Sequence, residues 1–153
     1  MSARQMAEPF PIVTPGTDAM DAARAMAAGR LPGLIVCTDD GSPYTVLPDS
    51  QVLRFLIPAY MQDEPGLARA LDEQASDEMC RKLERSTVGD VLPKRQDLDE
   101  LPVVDGDASA LEVAALMATM NSPLVAVVVD GHVVGGITVA GLLDYLLPPT
   151  EPR

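Results

Sequence analysis

Residues 31–58, LPGLIVCTDDGSPYTVLPDSQVLRFLIP, recur in altered form at residues 122–148, SPLVAVVVDGHVVGGITVAGLLDYLLP. Each copy has two short runs rich in β-branched residues on either side of a turn that contains Asp-Gly, followed by an apolar segment that ends at Pro58 or Pro148. β-branched runs favour strands, Asp-Gly is typical of a hairpin turn, and proline stops a helix. Each copy therefore predicts a β-hairpin followed by a helix.

The duplication continues outward from the two hairpins. A shift of 91 positions places Pro11 on Pro102, and a shift of 90 applies after the turn that follows Val36, where one residue is lost. The pairs aligned before this turn include Val13 with Val104, Ala19 with Ala110, Ala23 with Ala114, Met26 with Met117 and Pro32 with Pro123. The pairs aligned after it include Gly41 with Gly131, Leu47 with Ile137, Leu53 with Leu143 and Phe55 with Tyr145. Register kept over this length indicates an internal duplication, and we expect a ligand site in the cleft between the halves.

The sequence of each repeat predicts elements in the order strand, helix, strand, turn, strand and helix. The start of the first helix is marked in both repeats by a residue that commonly caps helices, three positions before an acidic residue. These pairs are Asp18 with Asp21 and Ser109 with Glu112. Such spacing is typical of a capping box, in which the side chain accepts a hydrogen bond from a backbone N–H of the first turn. Local chemistry thus predicts both helix starts independently of the duplication.

The segment between the repeats predicts a long helix from Asp63 to Arg85. Apolar residues recur there every four positions, and acidic residues at its start and basic residues at its end complement the helix dipole. A dimer or partner surface and a connector packed on its own domain both fit this pattern. We therefore predict one compact α+β module with two pseudo-symmetric repeats, each a small sheet packed with two helices. Its parts are repeat 1 at residues 1–58, the linker helix at 59–86, repeat 2 at 87–148 and a tail at 149–153.

Composition excludes several classes of protein. The net charge of −12 argues against a nucleic-acid partner, because binding to phosphates requires clustered basic residues. The apolar run from Leu124 to Val129, which no other apolar run exceeds, is far too short for a membrane helix, so we predict a cytoplasmic protein with no membrane insertion. Cys37 and Cys80 match no metal-binding spacing and are predicted to be free thiols. With His132 as the only histidine, we predict neither a metal site nor a catalytic triad.

Two short motifs complete the pattern of the repeats. Residues 87–92, TVGDVL, precede the second repeat, and residues 133–138, VVGGIT, join its last strand to its last helix. In order, spacing and duplication the chain resembles the tandem cystathionine beta-synthase (CBS) domain pair, or Bateman module, from about Ala7 to Leu147. The resemblance implies a regulatory module that binds AMP, ADP, ATP or S-adenosylmethionine between its repeats and forms a disc-like homodimer. It also implies action in trans on a partner such as an enzyme or transporter.

The resemblance also implies candidate ligand-binding residues. The family's nucleotide signature places Thr or Ser at the end of the last strand and Asp three residues later, where the carboxylate accepts hydrogen bonds from the ribose hydroxyls. Thr138 fills the first position of this signature in repeat 2, but Gly141 replaces the Asp, and repeat 1 has Pro48 and Gln51 instead. The candidate binding residues are Val104 and Ile137 against adenine, Thr138 at a phosphate or ribose oxygen, Gly135 and Gly136 for close backbone approach, and Gln51 as a substitute acceptor.

Alternative interpretations accompany these candidates. Val104 and Ile137 also fit an ordinary core, and Thr138 also fits a helix cap. Since both Asp positions are lost, a degenerate pair that serves only in homodimerisation or protein docking is an alternative to the adenosyl sensor. An enzyme is disfavoured, because the sequence has no phosphate-binding GxxxxGK[ST] loop, no nucleophile in an activating context and no paired carboxylates on one predicted helix face.

Overall fold

Two three-stranded sheets organise the protein, whose computed structural model describes residues 2–57, 73–92 and 102–149. The strands are β1 (Ile12–Val13), β2 (Gly33–Cys37), β3 (Pro43–Pro48), β4 (Val103–Asp105), β5 (Leu124–Val129) and β6 (His132–Thr138). The helices of this part of the chain are α1 (Ala3–Met6), α2 (Ala19–Gly29), α3 (Asp49–Leu56), α4 (Glu73–Glu84), α5 (Val88–Val91), α6 (Ala110–Met120) and α7 (Val139–Leu146). The α+β class and the two repeats are therefore confirmed.

The two sheets have the same topology and register. In the first sheet β1 pairs parallel with β2 and β2 pairs antiparallel with β3, and β4, β5 and β6 repeat this order. The ladder shifts register after Val36 in one sheet and after Val127 in the other, which are aligned positions. The turn of repeat 2 is Asp130–Gly131, with both φ angles positive at 53° and 80°, as a two-residue hairpin of type I′ requires. The predicted hairpins are thus confirmed.

Helices α2 and α6 also correspond, although their N-termini are held differently. Both end in a left-handed residue with φ of 50°, Arg30 and Asn121 respectively. The Ser109 hydroxyl accepts a hydrogen bond from the Glu112 N–H at 3.2 Å, as predicted. Asp18 is the N-cap residue of α2, but its side chain makes no capping hydrogen bond. The prediction of an Asp18 cap is wrong because a neighbouring segment satisfies this helix start, where the Ala19 N–H donates to the Ser86 carbonyl at 2.9 Å.

Each repeat is completed by the short segment that precedes the other repeat. We call residues 2–6, which include α1, and residues 87–91, which include α5, the lead-in segments. The first lies on repeat 2, where the Ala3 N–H donates to the Ala108 carbonyl at 2.7 Å. The second lies on repeat 1, where the Val88 N–H donates to the Thr17 carbonyl at 2.8 Å. Because Ala3 and Val88 are fully buried in opposite repeats, this exchange joins the repeats into one folding unit.

The core has one cluster within each repeat and a third between the two sheets. The third cluster consists of Ile35, Cys37, Val46, Leu124 and Ala126. It packs the first sheet against the second, so the two hairpins face each other across the pseudo-twofold axis. Burial raises the pKa of the Cys37 thiol, and this cysteine and the exposed Cys80 are both free thiols, as predicted.

The described part of the linker is a helix that packs on repeat 1. Leu83 of α4 is buried in the core of that repeat, and the Lys82 Nζ donates to the Phe55 carbonyl at 2.7 Å. The predicted start of this helix at Asp63 lies outside the described residues. In the described ranges, no helix combines the length and apolar character that a membrane span requires.

Candidate functional site

A cleft of about 500 Å³ lies between the two repeats. Three parts of the chain form its walls: the N-terminal segment, the region after α2 together with the first residue of α3, and the start of α7. The lining residues are Glu8, Pro9 and Phe10, then Arg30, Leu31, Pro32 and Asp49, and finally Pro123, Thr138, Val139 and Ala140. The sequence predicted a cleft between the halves, and this is where the structure has one.

The wall that repeat 2 contributes is the N-terminus of α7. The Thr138 hydroxyl accepts a hydrogen bond from the Gly141 N–H at 3.0 Å and so caps this helix. The capping interpretation of Thr138 is therefore confirmed, and the hydroxyl hydrogen remains able to donate to a second group. A helix N-terminus carries a partial positive charge, which attracts anions.

The wall that repeat 1 contributes carries both signs of charge. Arg30 ends α2 in the left-handed conformation, and the Leu31 N–H that follows it donates to the Met26 carbonyl at 2.9 Å. Asp49 begins α3, and its N–H donates to the Pro32 carbonyl at 3.0 Å. The backbone at both positions is therefore held firmly, while the charged side chains are exposed to the cleft and to solvent.

The candidate adenine-binding residues lie away from this cleft wall. Val104 and Ile137 are 8% and 3% exposed, and both belong to the core cluster of repeat 2. They pack there against Val113, Met117 and Leu142. The core interpretation of these two residues is the one that matches their burial, and their contact with a ligand stays a prediction.

The two candidate glycines of β6, Gly135 and Gly136, allow the N-terminal segment at Ala7 and Glu8 to approach the strand closely. Glu8 and Gly136 form an antiparallel bridge with two backbone hydrogen bonds of 3.0 Å. A Cβ atom placed on Gly135 would lie 2.7 Å from the Glu8 carbonyl oxygen and 3.1 Å from the Ala7 Cβ. The glycine pair therefore accommodates the N-terminal segment, which in turn forms one wall of the cleft.

Gln51 also contacts the chain itself. Its Nε2 donates to the Val91 carbonyl at 3.0 Å, at the end of α5, so it holds a lead-in segment onto repeat 1. The aligned residue in repeat 2, Gly141, lines a second cavity of about 630 Å³ together with Glu8 and Asp144. Of the six candidate binding residues, Thr138 is the one that lines the cleft between the repeats.

Several residues of the cleft were missed by the sequence reasoning. Glu8 and Phe10 were missed because the first lead-in segment was not identified, so the residues that follow it were not expected to reach repeat 2. A local feature could have identified it: Ser2 and Gln5 form a capping box, and so do Thr87 and Asp90. Nothing in the sequence marked Arg30 or Asp49 as a candidate binding residue. Each aligns with an uncharged residue of the other repeat, so the duplication did not identify them either. In the described ranges, no group of three or more His, Cys, Asp and Glu residues is placed to hold a metal ion.

The family comparison and the comparison with solved structures both identify CBS domains. The family model described as CBS domain matches residues 3–57 and 88–148. The crystal structure of a CBS domain-containing protein of unknown function from Kribbella flavida is 49% identical, with a TM-score of 0.80 over 95% of this chain and 98% of that chain. No curated protein matches the sequence.

Two further solved structures are more distant in sequence. One is the CBS domain of a CBS domain-containing membrane protein from Sphaerobacter thermophilus, with 21% identity and a TM-score of 0.70 over 96% of this chain and 88% of that chain. The other is CBSX2 in complex with AMP, with 20% identity and a TM-score of 0.65 over 94% of each chain. At these identities the likeness concerns the fold.

The family model covers both repeats together with nearly all of both lead-in segments. The duplicated sheets, the equivalent helices and the cleft between them are the architecture that the sequence resemblance implied. This chain belongs to the CBS-domain family and carries two CBS domains in tandem.

Proposed function

We propose that this CBS pair is a regulatory module that binds an adenosyl ligand in the cleft at Thr138. The observation that carries the proposal is that Arg30, from repeat 1, and the N-terminus of α7, from repeat 2, line one cavity. A guanidinium and a helix N-terminus both favour an anionic group, such as the phosphate of a nucleotide or the carboxylate of S-adenosylmethionine. Such a ligand would contact both repeats at once.

The size and walls of the cleft support this class of ligand. Its volume of about 500 Å³ falls in the range of small-molecule sites. Phe10, Leu31, Pro32 and Pro123 provide apolar surface for a purine ring. Glu8 and Asp49 provide carboxylates that can accept hydrogen bonds from ribose hydroxyls, although Gly141 stands at the usual Asp position. A related fold, that of CBSX2, has been solved in complex with AMP.

Regulation would follow from the position of the ligand between the repeats. A ligand that binds one arrangement of the pair more tightly shifts the population toward that arrangement. We propose that this shift changes the activity of a partner in trans, an enzyme or a transporter, with the module itself cytoplasmic and non-catalytic.

Titration calorimetry with AMP, ADP, ATP and S-adenosylmethionine, with and without magnesium, tests the proposal. We expect saturable binding of at least one of these compounds and a loss of about tenfold in affinity for Arg30→Asn, because a charge-assisted hydrogen bond is removed. Asn is the aligned residue in repeat 2 and has the same left-handed conformation there, so the backbone should be preserved. Arg24→Gln, which removes an exposed positive charge elsewhere on α2, is the matched control. Absence of saturable heat with all four compounds would reject the sensor.

A second candidate function, homodimerisation, is favoured by two apolar grooves at aligned positions. One groove of about 580 Å³ lies between α2 and α3, and one of about 460 Å³ lies between α6 and α7. Leu53 and Leu143 occupy the same place in the two grooves and are 61% and 46% exposed. We propose that a second copy of the chain covers these grooves, since exposed apolar patches of this kind mark interfaces.

Sedimentation equilibrium tests the homodimer. Leu53→Glu or Leu143→Glu should shift the protein toward monomer, because each places a charge in the buried centre of the interface. Val134→Glu is the control, because Val134 is 49% exposed on β6 and lines neither groove. A wild-type protein that sediments as a monomer throughout the concentration range would rule out this candidate function.

A further inference from the structure

The last turns of α3 and α7 place an aromatic residue at the same position in both repeats, Phe55 in one and Tyr145 in the other. In repeat 1 the Lys82 Nζ lies 4.2 Å from the centroid of the Phe55 ring. The same ammonium group donates a hydrogen bond to the Phe55 carbonyl at 2.7 Å. The end of α3 is thus an ammonium site, occupied by a lysine of the chain itself.

In repeat 2 the equivalent aromatic ring has no such occupant among the described residues. Tyr145 is 40% exposed and lines the cavity of about 630 Å³ that also contains Gly141. Glu8 and Asp144 line the same cavity, and both are acidic. Its remaining lining residues are Gln5, Met6, Leu147, Pro148 and Pro149. Among the described residues, the cavity therefore combines an aromatic ring with two carboxylates and is lined by no lysine or arginine.

The backbone at this end of α7 also favours a cation. A helix C-terminus carries a partial negative charge, which arises from its unpaired carbonyl groups. The carbonyls of Asp144 and Tyr145 would normally accept hydrogen bonds from residues 148 and 149, but both of those residues are prolines and have no N–H. These two carbonyl oxygens at the end of α7 are therefore left without helical donors.

We propose that this cavity binds the primary ammonium group of a small aliphatic amine. The bound ammonium would lie over the Tyr145 ring and donate to the Tyr145 carbonyl, as Lys82 does at Phe55. A diamine fits best, because Glu8 and Asp144 provide negative charge for a second ammonium group. This site is separate from the proposed adenosyl cleft, with which it shares Glu8 but neither Thr138 nor Arg30.

Calorimetric titration with 1,5-diaminopentane, at a constant ionic strength of about 0.15 M, tests the proposal. The expected result is saturable 1:1 binding that weakens about tenfold in Tyr145→Leu and is retained in Tyr145→Phe, which keeps the ring. Asp144→Asn should weaken binding, whereas Asp21→Asn removes the same charge from α2 and should leave binding unchanged. Arg30→Asn should also leave it unchanged, which separates this site from the adenosyl cleft. The neutral analogue 1,5-pentanediol should not bind.

Three results would overturn the proposal. The first is the absence of saturable heat up to about 10 mM diamine. The second is equal affinity in Tyr145→Leu and wild type. The third is equal weakening by Asp144→Asn and Asp21→Asn, which would indicate general attraction to an acidic protein. Ligand NMR on the wild type provides a check that does not depend on any variant, because stacking on Tyr145 should shift the methylene protons of the diamine upfield.

Discussion

The two repeats share strand register and helix positions but differ in what their side chains contact. In repeat 1, Gln51 holds the end of α5 and Phe55 is covered by Lys82. In repeat 2 the aligned residues, Gly141 and Tyr145, line a cavity. A duplicated backbone therefore does not produce duplicated sites. Gln51 and Lys82 make contacts in repeat 1 that are not repeated among the described residues of repeat 2, where Gly141 and Tyr145 line the cavity instead.

The largest expected effect tests whether the repeats are separable. Leu34→Ala creates a cavity in the core of repeat 1 and should cost about 2–5 kcal/mol of unfolding free energy. Because the lead-in segments are exchanged, both repeats should unfold in one transition. Urea denaturation measures the loss, and hydrogen exchange should show amides of β2 and β5 losing protection together.

The matched variant for this experiment is Val125→Ala, at the aligned position in the core of repeat 2. It removes fewer carbon atoms, so a smaller loss is expected. If Leu34→Ala lowered protection in β2 while β5 kept its wild-type exchange rates, the repeats would be independent units and the exchange of lead-ins would carry little energy.

The second effect concerns the segment that covers β6. Gly135→Ala would place a Cβ 2.7 Å from the Glu8 carbonyl oxygen, so the N-terminal segment must shift. We expect a loss of about 1–3 kcal/mol, as is usual for overpacking, measured by thermal or urea unfolding. Gly16→Ala is the control, because its Cβ would meet only the Thr14 hydroxyl at 3.9 Å. Equal stability of the two variants would show that the segment adapts without cost.

The third prediction concerns the Lys82 ammonium group, which lies against Phe55 in repeat 1. Lys82→Met keeps an unbranched side chain of similar length. It loses the ammonium group, and with it both the hydrogen bond to the Phe55 carbonyl and the contact with the Phe55 ring. We expect a loss of about 1 kcal/mol in unfolding free energy. Arg81→Met is the control, since Arg81 is an exposed cation in the same last turn of α4. Similar losses in both variants would mean that charge at the helix end, rather than the Phe55 site, is responsible.

The smallest effect compares the two hairpin turns. Hydrogen bonds from the Thr38 hydroxyl and the Ser42 N–H hold the pKa of the Asp40 carboxyl below its usual value. A lowered folded-state pKa stabilises the fold above the unfolded pKa of about 3.9, and this stabilisation is lost as pH falls through the folded value. Asp40→Asn should therefore be slightly less stable than wild type at neutral pH and approach it in acid.

Thermal unfolding at neutral and acidic pH measures this difference. The control is Asp130→Asn at the aligned turn of repeat 2, where the His132 ring contacts the Asp130 backbone carbonyl and no described residue donates a hydrogen bond to the carboxylate. A stability difference for Asp40→Asn that did not change with pH would contradict the assignment to the charged carboxylate.

Much of the fold could be predicted because the relevant interactions are short in sequence. The hairpins, their turns and the Ser109 cap depend on residues within one repeat, so β-branched runs, turn chemistry and capping patterns were sufficient. The Asp18 cap failed because Ser86 and Thr87, from a distant segment, satisfy the start of α2. Local rules cannot include a partner that arrives only on folding.

The candidate site shows the same division. Thr138 was found because its motif and its cap are local. Arg30 and Asp49 come close to Thr138 only when the repeats pack together, and Glu8 reaches the cleft by pairing with Gly136. The hydrogen bond from Gln51 to the Val91 carbonyl could not be predicted, because the two residues are 40 positions apart in the sequence, and ligand contact by Gln51 stays a prediction.

The duplication, both hairpins, the starts of α2 and α6 and the ends of α3 and α7 could be predicted from the sequence to within about two residues, because these features depend on neighbours along the chain. The folded structure was needed to show which segment completes which repeat, which carboxylates reach the cleft and which helix end lines an open cavity. These outcomes depend on packing two sheets about a common axis, and that packing brings together groups whose separation in the sequence carries no pattern.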